Sequence, residues 1–253
     1  MYAEVAPPSA VAAVVDCLWV RRDDHDGTPT LVLPDACFDL IWTPGAEVML
    51  AAPDTRAVMV PAGASPVFVG VRFRPGVGRS VLGMRMSDLL DARVSATEAL
   101  AERAGDADGR IASGLLARLG QTETAPEAFR MLGRLGELLA HSSTLDGTAM
   151  RVSRLLRDPS RSVASVAHEL DVPERTLSRR VTEQVGYGPK MLHRVMRLQG
   201  FLRIADAPST RGRSVAELAA LAGYADQPHL SRESSALTGF TPGALLAARG
   251  STR

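Results

Sequence analysis

Two short stretches of the chain carry side chains suited to reading a nucleic acid. Arg175, Thr176, Ser178 and Arg179 fall within five residues, and Gln227, His229, Ser231 and Arg232 fall within six. A guanidinium can bond bidentately to guanine, and Ser, Thr, Gln and His supply shorter-range hydrogen bonds to bases or phosphates. In PERTLSRR and DQPHLSRE these polar residues surround one apolar residue, Leu177 or Leu230, that faces inward if the segment is helical. The polar side chains then gather at the exposed start of a helix.

The elements that must position them repeat. SVASVAHEL at 162–170 resembles SVAELAALA at 214–222, and TLSRR at 176–180 resembles HLSRE at 229–233. In each copy a Ser (Ser162, Ser214) precedes a short pattern of apolar residues spaced by three and four, which reads as a capped helix. A break follows, DVP at 171–173 or GYAD at 223–226, and a second helix begins. Asp226 can accept the first backbone N–H groups of that helix, and Pro228 is tolerable in its first turn. The pattern is helix, short turn, helix, twice over, the arrangement that presents a second helix to a major groove. Between the copies, residues 190–205 read as one helix of about 24 Å at 1.5 Å per residue. A rod of that size can hold two such helices near the spacing of successive major grooves, about 34 Å. Its Arg194, Arg197 and Arg203 lie either toward phosphates or on a solvated face.

Charge is segregated in the same sense. Residues 151–253 hold 16 Arg plus Lys against 9 Asp plus Glu, and residues 1–150 hold 13 against 19. A basic C-terminal part beside an acidic N-terminal part fits a nucleic-acid-binding domain joined to something else. Catalysis finds no footing: there is no P-loop, GxGxxG, GxSxG or HExxH, and His25, His141, His168, His193 and His229 are dispersed without ligand spacing. No catalytic residue, metal site or cofactor is expected. Cys17 and Cys37 read as small core residues in a reducing compartment. No apolar run approaches a membrane span, and MYAEVAPPSA lacks the features of a signal peptide, so the expected location is the cytoplasm, on the nucleoid.

The double motif, its joining helix and the trailing LTGFTPGALL resemble the DNA-binding domain of the AraC/XylS family of bacterial transcription regulators, over about residues 146–248. The resemblance implies that Arg175, Ser178 and Arg179, and Gln227, His229, Ser231 and Arg232, occupy DNA-facing positions. It implies double-stranded DNA and RNA polymerase as partners and brings in a homodimer. Three residues depart from the family pattern: Pro173 at a usual capping Ser or Thr, Glu174 near phosphates, and Ser234 in place of a packing Phe. The last predicts a loosely packed second motif.

In the N-terminal half, residues 31–42 and 65–76 are rich in β-branched and aromatic residues and read as strands. Phe68, Gly70, Arg72 and Arg74 share one face of the second, and Asp35, Cys37 and Asp39 share one face of the first. If those faces meet, Asp35, Asp39, Phe68, Arg72 and Arg74 either line a pocket for a polar small molecule or form structural cross-strand pairs. LPDACFDLIW and GVRFRPG resemble segments of sensor-like domains in one AraC-family subgroup, with Ala36 where Gly is expected. SDLLDARVS, GRIASGLLARL and PEAFRMLGRLGELLA read as helices.

The expected fold is α+β. A β-rich segment (11–77) and a helical layer (78–140) make a sensor-like or oligomerisation domain over 1–140, a linker covers 141–147, and an all-α double helix-turn-helix domain covers 148–253. The expected function is a sequence-specific transcription regulator whose N-terminal domain binds a small-molecule effector. The alternative is a regulator whose N-terminal domain binds a protein or only dimerises.

Overall fold

The computed structural model describes residues 1–22, 29–61, 65–103 and 105–250. His25 lies outside the described residues. The N-terminal half is built on a six-stranded antiparallel sheet of order β1-β2-β7-β4-β5-β8. Its strands are β1 (Tyr2–Val5), β2 (Val15–Arg22), β4 (Phe38–Trp42), β5 (Met49–Ala51), β7 (Val67–Phe73) and β8 (Arg93–Ser95), while β3 (Thr30–Val32) and β6 (Val58–Val60) pair separately. Alternation along the strands sends Leu18, Phe38, Leu40, Trp42, Val69, Val71 and Phe73 into one core.

Helices α1 (Gly78–Leu82), α2 (Ala96–Ala99), α3 (Ala107–Gly120) and α4 (Ala125–His141) cover the sheet. Helix α4 contributes Met131, Leu132, Leu135 and Leu139 to the core at helical spacing. It approaches the sheet closely at Gly136, where a Cβ would stand 2.9 Å from Val71 Cγ2. The opposite sheet face carries Trp19, which lies over Gly70, with Arg21, Phe68, Arg72 and Asp39.

Several boundaries differ from the sequence reading. Residues 31–42 are not one strand: β3 ends at Val32, and Ala36 adopts a left-handed φ of 66°, so the chain turns before β4. This is the position where glycine was expected, and the conformation explains why. The β segment also extends beyond 11–77, because β1 precedes it and β8 falls inside the stretch read as helical. SDLLDARVS forms a single 3₁₀ turn at Met86–Asp88, reverses at Asp91 (φ 60°), and then pairs with β5 through Met49↔Ser95 and Leu50↔Val94.

The C-terminal half consists of α5 (Gly147–Leu155), α6 (Val163–Glu169), α7 (Glu174–Val185), α8 (Pro189–Asp206), α9 (Val215–Leu221), α10 (Gln227–Thr238) and α11 (Pro242–Gly250). Leu177, Val181, Leu198, Phe201, Leu230 and Leu245 make its core. The two halves interlock. Ala36 is buried in the C-terminal core, with Leu31, Leu33 and Leu90 packed against it. Gln199 Nε2 donates to the Pro34 carbonyl at 2.7 Å, and Ala57 N–H donates to the Leu237 carbonyl at 2.8 Å. The 141–147 segment is tied as well: Arg103 donates to the Ser142 hydroxyl at 2.7 Å and to the Ser143 hydroxyl at 3.3 Å.

Candidate nucleic-acid interface

Both helix pairs form as their sequences dictate. Ser162 and Ser165 make a reciprocal capping box at the start of α6, and Ser214 and Glu217 do the same for α9. Asp226 Oδ1 accepts the His229 backbone N–H at 2.6 Å and so starts α10. Pro173 provides no side-chain cap to α7. Both second helices stop at a left-handed glycine, Gly186 (φ 100°) and Gly239 (φ 78°). Between the pairs, α8 has 18 residues, about 27 Å at 1.5 Å each.

The polar residues singled out from sequence stand at the N-terminal ends of α7 and α10. Arg175, Arg179, Gln227 and Arg232 are exposed, while Thr176, Ser178, His229 and Ser231 are half-buried. Arg179 is 63% exposed and pairs with Glu183 one turn on, at 3.2 Å. His229 stacks edge-on against Tyr224 at 5.3 Å, and its Nε2 lies 3.6 Å from Glu233.

Sequence reasoning missed the centre of this second motif. Glu233 is buried and Oε1 gathers Arg197 at 2.7 Å and Arg194 at 3.3 Å, while the Arg197 guanidinium stacks 4.7 Å above the Tyr224 ring. Arg197 therefore belongs to the packing between α8 and α10 and does not point to phosphate, because its charge is held by a buried carboxylate. One cue was available, the i,i+4 spacing of His229 and Glu233. The second motif is not loosely packed either. Ser234 is fully buried, and its hydroxyl donates to the Phe240 carbonyl at 2.8 Å.

In the N-terminal set, Arg72 and Asp39 are direct cross-strand partners of β7 and β4. Arg72 Nε lies 3.2 Å from Asp39 Oδ1, Arg72 Nη1 lies 3.5 Å from Asp35, and the Trp19 indole N–H donates to Asp39 at 2.7 Å. Arg74 turns away to Asp16 at 2.6 Å and to the Ala12 carbonyl at 2.7 Å, and Phe68 lies under Arg21 at 4.1 Å. The structure thus joins Asp35, Asp39 and Arg72 and separates them from Arg74 and Phe68.

Burial pushes the Asp39 carboxyl up to about 6, against the lowering pull of Arg72 and the Trp19 N–H. An acid raised in this way favours the folded state most below its ordinary value and loses that contribution as pH rises through about 6. Paired thermal melts should therefore show the stability difference between the protein and Asp39→Asn moving in the variant's favour from pH 4 to pH 7. A difference flat with pH would assign the titration elsewhere.

Two family models match parts of the chain. Residues 166–248 match the model of a helix-turn-helix domain, and residues 3–95 match that of a domain of unknown function, DUF6597. A search of curated proteins gives no match. Among solved structures the chain is similar to an apo variant of ToxT from Vibrio cholerae strain SCE256, at 14% identity and a TM-score of 0.48, covering 91% of this chain and 97% of that one. It is also similar to unsaturated fatty acid-bound wild-type ToxT from that strain, at 13% identity and a TM-score of 0.45, covering 90% and 94%. The helix-turn-helix domain matched at 166–248 is that of a DNA-binding regulator, and it follows an antiparallel sheet domain. The matched segment is a helix-turn-helix domain of the AraC type.

Proposed function

We propose that the protein is a sequence-specific regulator that sets the N-terminal ends of α7 and α10 into two adjacent major grooves, with Arg175, Thr176, Ser178, Arg179, Gln227, His229, Ser231 and Arg232 as contacts. The observation that carries this is the repeated unit itself: two capped helix pairs, each with a polar, outward set on its second helix, joined by a rod of the right length. Residues 148–253 act as the DNA-binding domain, residues 1–140 as the sensor-like domain, and 141–147 as their connection. The protein works where DNA and RNA polymerase are, in the cytoplasm on the nucleoid, alone or as a homodimer.

Occupancy of the N-terminal half by a small molecule would set DNA affinity. The tie between α7 and α1 supports this over a merely dimerising role, since any shift of α1 is felt on a DNA-reading helix. Here Ser80 N–H donates to Gln184 Oε1 at 3.1 Å, and Gln184 Nε2 donates to Ser80 Oγ at 3.0 Å.

Footprinting of the full chain on its own upstream DNA should protect two patches about one helical turn apart. Log affinity should fall linearly with log salt, with a slope near −0.9 per phosphate neutralised. Absent protection, or affinity indifferent to salt, would overturn the assignment. Among the described residues no helix is long and apolar enough to cross a membrane.

A further inference from the structure

A cavity of about 630 Å³ opens where α1, the 142–146 segment and α7 meet, lined by Arg79, Ser80, Ser142, Thr144, Arg179 and Arg180 together with Glu183 and Asp146. The cleft is polar and open to solvent, and its volume falls in the range of small-molecule sites. Its chemistry is unlike the Asp39–Arg72 cluster, where the charges close on each other. Three guanidiniums face two carboxylates, and three hydroxyls stand beside them. Glu183 takes Arg79 on Oε2 at 2.5 Å and Arg179 on Oε1 at 3.2 Å. Arg180 reaches Asp146 at 3.4 Å and the Thr148 hydroxyl at 3.1 Å. Arg79, Arg179 and Arg180 remain between two-fifths and two-thirds exposed, and each guanidinium carries five N–H donors. The cavity thus holds a surplus of donors and of positive charge.

We propose that this cavity binds a small hydroxylated carboxylate or phosphate ester, held by Arg79 and Arg180 with the hydroxyls of Ser80, Ser142 and Thr144, and that the bound anion opposes DNA binding. This rests on the assignment of Arg179 to DNA. Arg179 lines the same cavity, so an anion beside Arg79 and Arg180 and a phosphate or guanine outside both attract its guanidinium. Glu183, which already bridges Arg79 of the N-terminal half to Arg179 of α7, gives the competition a mechanical form. An anion on Arg79 and Arg180 tightens the seat of α7 on α1, while DNA draws Arg179 away from it. Two ligands that favour different arrangements of one element lower each other's affinity by the same factor.

The test uses the full chain, with citrate and inorganic phosphate as probes and sodium chloride matched for ionic strength. Calorimetry without DNA should show binding of at least one of the two anions, and Arg79→Gln should weaken it about tenfold or more, with Arg79→Lys intermediate. DNA affinity should fall about fivefold or more in saturating anion relative to matched chloride, and this ratio should return to one in Arg79→Gln. Melting of each variant in chloride identifies one that has failed to fold, and Ser142→Ala, which leaves every guanidinium in place, should weaken the anion by a smaller factor. No anion binding beyond chloride, or binding unchanged in Arg79→Gln and Ser142→Ala, would overturn the site. Anion binding that depends on Arg79 with DNA affinity unmoved would keep the site and overturn the antagonism. Failure of the chain to bind DNA in chloride would instead bear on the regulator assignment, since the calorimetric arm does not involve DNA.

Discussion

Glu233→Ala is expected to destabilise the protein by about 3–5 kcal/mol, the range for stranding a buried charge by removing its partner. The carboxylate is buried in α10, and Arg197, reaching it from α8, has a side chain only 14% exposed. Without Glu233 the Arg197 guanidinium keeps the Tyr224 ring, but that ring supplies no hydrogen-bond acceptor comparable to a carboxylate. Arg194 and His229 lose the same partner. Because Tyr224 lies in the turn between α9 and α10, disturbance of this cluster reaches the start of α10, and DNA affinity should fall with stability. Glu233→Gln retains the shape and one carbonyl acceptor and should fall between the two. Urea unfolding monitored by helical circular dichroism is the measurement, and an alanine variant within about 1 kcal/mol of the parent would show that water replaces the carboxylate.

The double variant Arg179→Ala/Arg232→Ala should lose about 2–6 kcal/mol of specific DNA affinity, the sum of two bidentate guanine contacts at about 1–3 kcal/mol each. The two arginines sit on different helices with no shared partner, so their effects should add. Arg179 is already paired with Glu183, but an exposed i,i+4 pair is worth only about 0.3–0.5 kcal/mol. Exchange for a guanine edge is therefore favourable. Binding measured against a randomised operator library should show relaxed preference at two positions about one helical turn apart, each assignable to one single variant. Uniform weakening across all sequences, with the salt slope reduced by about two, would make both arginines phosphate contacts.

What could be read in advance divides by the range of the interactions. Helices α6, α7, α9 and α10 were legible because their caps and their apolar period lie within a dozen residues of each other. The facing of Phe68, Gly70 and Arg72 against Val67, Val69 and Val71 was legible for the same reason, the two-residue period of a strand. Strand β8 was missed because three residues carry no usable period, and Arg93–Ser95 is a strand only because β5 offers it an edge. The break at Ala36 was missed because alanine itself gives no sign of a left-handed turn, and the glycine expected there from the resemblance was the one cue. Glu233 and Arg197 are 36 residues apart, and Arg79 and Glu183 are 104 apart. Pairings at such distances follow from the tertiary arrangement, which the local pattern does not contain.

The loop that carries Ala36 bears on how such regulators can be recombined. It belongs by sequence to the N-terminal half and by packing to the C-terminal one, where Ala36 is buried in the cluster that also holds Tyr187 and Leu198. A chimera that joins residues 147–253 to a foreign sensor would leave that place empty, exposing apolar surface and the Gln199 side chain that now holds Pro34. An exchange that transplants residues 31–37 along with the helices would keep the core complete. The natural seam for grafting is therefore discontinuous in the chain, one part early and one part late, although the segment 142–146 between α4 and α5 is where a cut would be made by eye.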